Sequence, residues 1–374
     1  MGRLLIFLST VLAVLGGTGW YLVKRSTTLC PLLARHPAWA WGPYVLFVGL
    51  LLFLPPLQHA LASRGEFLAP LQLFGYLLFS FISTFLPLLL AADLLQAGAR
   101  RLLHAPPTLG AWAFGAAFVL GLAFCLLGFF TARGAIPVVR VEIPVEGLDP
   151  ELDGLRIVQL SDLHIAPGFS DARVRAIAAQ VQAQAPDLVA VTGDLVDGSA
   201  DGTRAKVELL AALRAPMGVC FVTGNHERYA GLARWLEVVR GMGWQVLDNG
   251  HVVHARGKAR LVVAGVPDPA HAGPDLGKAL AGAPAGAPVL LLRHRPEGLQ
   301  EAARAGVTLQ LSGHVHGGQY FPWSPLVRAF HAHPSGLARL GRTWLYTSRG
   351  TGTWGPPNRF LVPPELTVLV LRRA

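Results

Sequence analysis

Leu155-Arg156-Ile157-Val158-Gln159-Leu160-Ser161-Asp162-Leu163-His164 ends an apolar, strand-like run on a carboxylate and an imidazole two residues apart. Four other places repeat the device. Leu188–Val191 leads into Gly193-Asp194, and Val219–Val222 into Gly224-Asn225-His226-Glu227. Val289–Leu292 leads into His294, and Val307–Leu311 into Gly313-His314-Val315-His316. Short Val/Leu/Ile runs bounded by glycine read as buried strands closed by turns. Strands that all stop at such turns deliver their last residues to one edge of a sheet, where α/β proteins bind ligands. The collected oxygens and imidazoles suit Mn, Fe, Zn or a similar divalent metal.

Each segment has a chemical reason. Asp162 and His164 sit two apart on an extended turn, face alike and can hold one metal together; His314 and His316 repeat that spacing. The glycine before Asp194 lets the chain turn sharply and leaves a carboxylate able to bridge two cations. Asn225 brings a neutral carbonyl oxygen, which limits the negative charge at a second metal. Two divalent ions about 3.5–4 Å apart can hold a hydroxide between them and clamp a phosphate along an in-line path. The isolated histidines, His59, His104, His251, His254, His271, His331 and His333, read as surface or structural residues.

With 52% hydrophobic and 14% charged residues among 374, the chain is too apolar for an ordinary soluble enzyme. The excess lies before Thr131. Four runs approach the ~20 residues that a bilayer crossing takes: about 4–23, 38–57, 67–92 and 109–131. Polar breaks separate them at Lys24-Arg25, at Ser63-Arg64-Gly65-Glu66, and between Asp93 and Pro107. Trp20, Tyr21, Trp39, Trp41 and Trp112 stand near the run ends, as interfacial aromatics do. Pro70 and Pro87 predict a kink in the third run, and Asp93 at its exit is expected to be solvated. With four crossings, Lys24, Arg25, Arg35, Arg100 and Arg101 lie on one side, and Arg3, Arg64, Arg133 and Arg140 on the other. That margin of one cation places the large domain on the non-cytoplasmic side of its membrane. The formal charge of +10 is scattered rather than clustered, so it points to lipid headgroups and topology, not to nucleic acid. Cys30, Cys125 and Cys220 leave the large domain without an internal disulfide.

The expected organisation is a transmembrane region over 1–133, a linker and first strand over 134–154, and a catalytic domain over 155–374. Apolar periodicity predicts helices over Asp171–Gln184, Thr203–Leu213, Tyr229–Gly241 and Pro296–Ala305. Further strands are expected around Val139–Ile143, Leu261–Ala264, Thr343–Tyr346 and Leu366–Leu371, with a loop over Gly282–Pro288. The domain is therefore α/β, sheet-centred with helices outside.

The order Asp-x-His, Gly-Asp-x-x-Asp, Gly-Asn-His-Glu, His and Gly-His-x-His resembles the calcineurin-like metallophosphoesterases, from roughly Leu155 to Leu371. Gly313–Gln319, Ser348–Gly352, Pro356–Phe360 and Pro363-Pro364-Glu365 are similar to a membrane-anchored bacterial branch. Some of its members resemble enzymes that cleave the pyrophosphate of UDP-2,3-diacylglucosamine in lipid A synthesis. The resemblance implies a β-sandwich flanked by helices. It implies that Asp162, His164, Asp194 and His316 hold one metal, and that Asp194, Asn225, His294 and His314 hold a second. His226 would contact the phosphate and protonate the leaving oxygen, and Asp197 would orient it.

The expected function is hydrolysis of a phosphate ester or pyrophosphate, with a lipid-linked substrate suggested by the membrane half. Tyr320, Phe321, Trp323 and Trp354 are candidates for a wall beside the metals, and Arg293 and Arg295 for phosphate contacts or surface salt bridges. A receptor with a vestigial site would have lost ligands, and none is missing. A lipid- or partner-binding module with secondary hydrolysis would need paired polar residues within the spans, which are few.

Overall fold

The structure, a computed structural model, describes residues 2–60, 65–104, 106 and 108–374, with the backbone alone for 2–8, 54–60 and 65–67. Ser63 and Arg64 of the expected turn, and the side chains of Arg3 and His59, lie outside the described residues. The chain divides into a helical unit ending at Leu127 and a larger unit from Gly128 to Ala374.

Each apolar run falls on a helix: Gly2–Leu29, Ala38–Ala60, Gly65–Leu103 and Leu109–Arg133. Among the described residues, however, two helices and not four are long and apolar enough to cross a membrane, Leu68–Leu103 and Leu109–Arg133. Residues 2–8 of the first helix and 54–60 of the second are described by backbone alone, and the described apolar part of the second is Ala38–Phe53. Helix Gly65–Leu103 runs through Pro70 and Pro87. Asp93 is bonded rather than simply solvated: Arg25 Nη2 lies 2.6 Å from Oδ1, and the Tyr21 hydroxyl donates to Oδ2 at 2.7 Å. Two opposite charges on apolar helices find each other because neither has a better partner in that setting.

The larger unit is built on two six-stranded sheets. Its strands are β1 (Val138–Val145), β2 (Arg156–Leu160), β3 (Leu188–Val191), β4 (Val219–Phe221), β5 (Gln245–Val246) and β6 (Gly250–Arg256). Next come β7 (Ala259–Gly265), β8 (Val289–Leu292), β9 (Leu309–Ser312), β10 (Gly336–Leu340), β11 (Thr343–Thr347) and β12 (Leu366–Arg373). One sheet runs β1-β12-β2-β3-β4-β5 and the other β10-β11-β9-β8-β7-β6. Strands β2, β3 and β4 pair in parallel in the first sheet, as do β7, β8 and β9 in the second. Parallel pairing is what brings their carboxyl ends to a common edge.

Alternation along each strand then sorts the apolar side chains between two cores. Ile157, Ala190, Cys220, Leu290, Leu292, Leu309 and Leu311 fill the space between the sheets. Val158, Leu160, Val189, Val191, Val219 and Phe221 face helices Asp171–Ala183, Ala200–Glu208 and Leu232–Gly241. Burial in the inner core pushes the Cys220 thiol up to about 12, so it serves as a small apolar residue. A third cluster packs Leu276, Ala279 and Ala302 on the outside of the second sheet.

Element boundaries differ where backbone conformation overrides periodicity. The helix expected over Tyr229–Gly241 is split, because Gly231 at φ 99° cannot continue a right-handed helix. The one expected over Thr203–Leu213 starts earlier, at Ala200, and gives way to a 3-10 turn over Leu209–Ala212. Pro296–Ala305 shrinks to Leu299–Arg304. Strand β1, expected around Val139–Ile143, does form and pairs with β12 along its whole length. Strands β6 and β10 and helix Trp323–Phe330 have no counterpart in the expected elements.

Candidate active site

Asp162, His164, Asp194, His314 and His316 all have left-handed backbones, with φ of 55°, 51°, 51°, 71° and 51°. Such conformations cost non-glycine residues roughly 1–3 kcal/mol each and persist only where surrounding contacts dictate them. Here the turns are sewn to one another. The Asp162 amide donates to Gly193 O at 3.1 Å, the His164 amide to Asp194 O at 3.1 Å, and the Gly313 amide to His294 O at 2.8 Å. The His314 amide closes the circuit on Asp162 Oδ1 at 3.0 Å. Gly193 has to be glycine, since a Cβ there would lie 2.5 Å from the Gly224 nitrogen and 2.8 Å from His294 Nδ1.

The side chains converge. His164 Nε2 lies 3.0 Å from His316 Nε2, and His316 Nε2 lies 3.4 Å from Asp162 Oδ1. Asp194 Oδ2 lies 3.2 Å from His294 Nε2, which in turn is 3.1 Å from His314 Nδ1. Three groups of potential ligand atoms, each within 4.8 Å of one another, result: Asp162, His164 and His316; Asp194, His294 and His314; and His164, Asp194 and His226. The donor set suits cations. Ring nitrogens face each other at contact distance, and the buried Asn225 Oδ1 has no hydrogen-bond partner. Outer contacts orient two of the rings, with Asp197 Oδ1 3.0 Å from His164 Nδ1 and Thr192 O 2.8 Å from His294 Nδ1, so that Nε2 of each faces the cluster. None of the described isolated histidines enters these groups.

Electrostatics point the same way. Burial works to raise the Asp194 carboxyl, yet His294, His164 and His226 hold it well below the usual carboxylate range. Burial disfavours charge on His164 and His294, but the neighbouring carboxylates push them up to about 9 and about 10. In the metal-free chain, imidazoles therefore carry the positive charge that the carboxylates demand. Burial, Arg359 and His164 hold His316 well below its usual range, in the neutral form that binds metals.

Asp197 serves two histidines. Its Oδ1 meets His164 Nδ1 and also forms a close contact with His226 Nδ1. The His226 ring then aims Nε2 at Asp194 Oδ2, 3.9 Å away. Burial opposes the Asp197 charge, but His164 and His226 bring its carboxyl below the ordinary range.

A sequence model described as calcineurin-like phosphoesterase matches residues 155–318. An uncharacterized metallophosphoesterase of Aquifex aeolicus is 33% identical over 63% of this chain and 91% of its own length. This chain belongs to the metallophosphoesterases. A second, from Helicobacter pylori J99, is 34% identical over 67% of this chain and 70% of its own length. A Danio rerio protein named transmembrane protein with metallophosphoesterase domain is 35% identical over 69% of this chain. The match to that longer relative spans about three-fifths (62%) of the relative's length.

Two residues given no role by sequence alone hold this metallophosphoesterase site in shape. Buried Glu227 accepts from the amides of Gly224 at 2.6 Å, Leu195 at 2.7 Å and Asp194 at 3.1 Å, tying two ligand turns together. Burial and the Asp194 charge push its carboxyl up to about 7. Arg359, fully buried, donates to Arg349 O at 2.7 Å, to Gly352 O, and to His316 Nδ1 at 3.1 Å. It clamps the Arg349–Gly352 loop, whose Thr351 and Gly352 amides donate to Ser161 O and Asp162 O at 2.8 and 3.0 Å. Their only sequence signal was membership in Gly-Asn-His-Glu and Pro-Pro-Asn-Arg-Phe.

Other candidates separate cleanly. Arg293 pairs with Glu301 at 2.9 Å and Arg295 with buried Asp268 at 2.7 Å, so both are salt-bridged. Of the four aromatic candidates, Trp354 stands beside His226, with ring centroids 6.1 Å apart. Gln319 fixes it, donating to Trp354 O and accepting from its amide. Tyr320 is buried and Trp323 opens a surface helix. Tyr229, not foreseen, lies 5.4 Å from His226.

Glu227→Ala should strand three buried amides. Each orphaned group costs about 1–3 kcal/mol, so urea unfolding of the metal-free protein should lose at least about 2 kcal/mol, with metal affinity falling in parallel. Unchanged stability would show that Glu227 does not hold these turns.

Proposed function

We propose that this chain is a membrane-anchored phosphoesterase that uses two divalent metal ions to hydrolyse a phosphate ester or pyrophosphate. The observation that carries the reading is the pair of ligand groups, Asp162/His164/His316 and Asp194/His294/His314, with Asp194 also within reach of His164. Asp162, His164, Asp194 and His316 would hold one ion, and Asp194, Asn225, His294 and His314 the other. Mn, Fe and Zn all suit this mixture of oxygen and imidazole. Bound there, the ions would supply an acidified water and charge neutralisation for the phosphate.

The chain's own residues do the rest. Asp197 holds Nδ1 of His226 and leaves Nε2 turned toward the shared carboxylate, where a leaving oxygen can take its proton. Trp354 and Tyr229 flank His226 with exposed ring faces, a wall for an apolar or flat part of the substrate. The two crossing helices favour a lipid-linked substrate, because tethering raises its local concentration at the site. A nucleotide-linked lipid such as UDP-2,3-diacylglucosamine is the second reading, and the exposed Trp354 face, suited to stacking a base, is what favours it.

His226→Ala should keep its metals and lose roughly 10²–10⁴-fold in rate, the usual range for a general acid. The loss should shrink for nitrophenyl esters, whose leaving groups need no proton. Equal losses for good and poor leaving groups would instead make His226 a phosphate-binding residue.

We also propose that the catalytic domain faces the outside of the inner membrane. Arg100 and Arg101 end helix Gly65–Leu103, opposite the domain whether two or four helices cross. Alkaline phosphatase fused after Ala374 should be active. Green fluorescence from a protein fused there would reverse the orientation and bring the nucleotide-lipid reading forward.

A further inference from the structure

Helix Trp323–Phe330 is built the wrong way round for a soluble domain. A surface helix turns its apolar stripe to the core, but here Trp323, Leu326 and Phe330, spaced for one face, are 40%, 49% and 84% exposed. The residue turned inward is Ser324, whose Cα lies 2.4 Å from where a Cβ on Gly318 would be. Six residues beyond the helix, β10 begins and exposes Leu337 and Leu340 as well.

Charge adds a second, independent observation. From Ala302 to Pro364 the sequence has no Asp or Glu but six Arg: Arg304, Arg328, Arg339, Arg342, Arg349 and Arg359. Arg349 and Arg359 are engaged inside the site, and Arg339 and Arg342 share Glu146. Arg328, on the helix itself, forms no ion pair among the described residues and is exposed. An exposed Trp/Leu/Phe face beside an unpaired Arg, in a stretch without acids, is complementary to an anionic lipid surface. The chain carries its own tether to such a surface in Leu68–Leu103 and Leu109–Arg133.

We propose that Trp323–Phe330 is an interfacial helix that lies in the headgroup region of an anionic bilayer. Its seating on Gly318, two residues past His316, fixes its distance from the ligand cluster. Docking would therefore set the site at headgroup level, where a phosphoester of a membrane lipid is presented without leaving the bilayer. The docking itself does not depend on the hydrolytic reading.

The test uses the full chain, one copy per lipid nanodisc, with Cys30→Ser to remove the cysteine that is not buried. A polarity-sensitive dye is placed at Phe330→Cys and, as reference, at Arg234→Cys on helix Leu232–Gly241. Lipids bearing a headgroup nitroxide should quench position 330 about fivefold more than position 234, and more strongly in phosphatidylglycerol than in phosphatidylcholine discs. Equal quenching at both positions would overturn the proposal. In detergent micelles, energy transfer between copies labelled at position 330 would do so too, by showing that a second copy of the chain covers the face. A Leu326→Ser/Phe330→Ser variant should lose about tenfold in activity on bilayer-embedded phosphoesters while keeping its rate on soluble bis-nitrophenyl phosphate. Equal loss on both substrates would count against docking. Should neither substrate be cleaved by the unmodified chain, the hydrolytic reading fails and the quenching result still decides the docking.

Discussion

The Asp194 carboxylate is the constraint around which the site is organised. It is buried, belongs to one ligand group with His294 and His314, and lies within reach of His164 and His226 in another. Burying a charge is expensive unless it is paired. Three imidazoles supply that pairing in the metal-free chain. Glu227 fixes the Asp194 backbone, Gly193 gives it room, and the left-handed turn aims its oxygens inward. Cations would relieve the same electrostatic demand more completely than protons, because they leave the imidazoles neutral and coordinating.

The geometry of the two sheets follows from the same need. Parallel β2, β3 and β4 in one sheet, and β8 and β9 in the other, end at turns that hydrogen-bond to one another. The cores on either side of each sheet hold those strand ends in place. The later segments serve the site too. The Arg349–Gly352 loop lies on the Asp162 turn, and Glu365 accepts from the Arg349 side chain at 2.6 Å and from its amide at 3.1 Å.

The strand ends were legible because their signal is local: an apolar run that stops at a polar turn bearing Asp, Asn or His. Strands β2, β3, β4 and β8 lie within the runs read from sequence, and β9 runs one residue past its own, to Ser312. Glu227 and Arg359 were not legible as site residues, because their roles are made by backbone groups distant in sequence. The Asp93–Arg25 pair was hidden for the same reason, its members being 68 positions apart. Strands β6 and β10 are half-exposed and lack a continuous apolar run. Helix Trp323–Phe330 was obscured by reading Trp323 as part of a wall beside the metals, when the helix's apolar residues are exposed.

The central claim is that one carboxylate serves two metal positions. Elemental analysis of the purified full chain beside Asp194→Asn, after loading with divalent metal and removal of excess, tests it most directly. The account predicts about two ions per unmodified chain and loss from both positions in the variant. Full metal content in the Asp194→Asn protein, or saturation of the unmodified chain at a single ion, would contradict it.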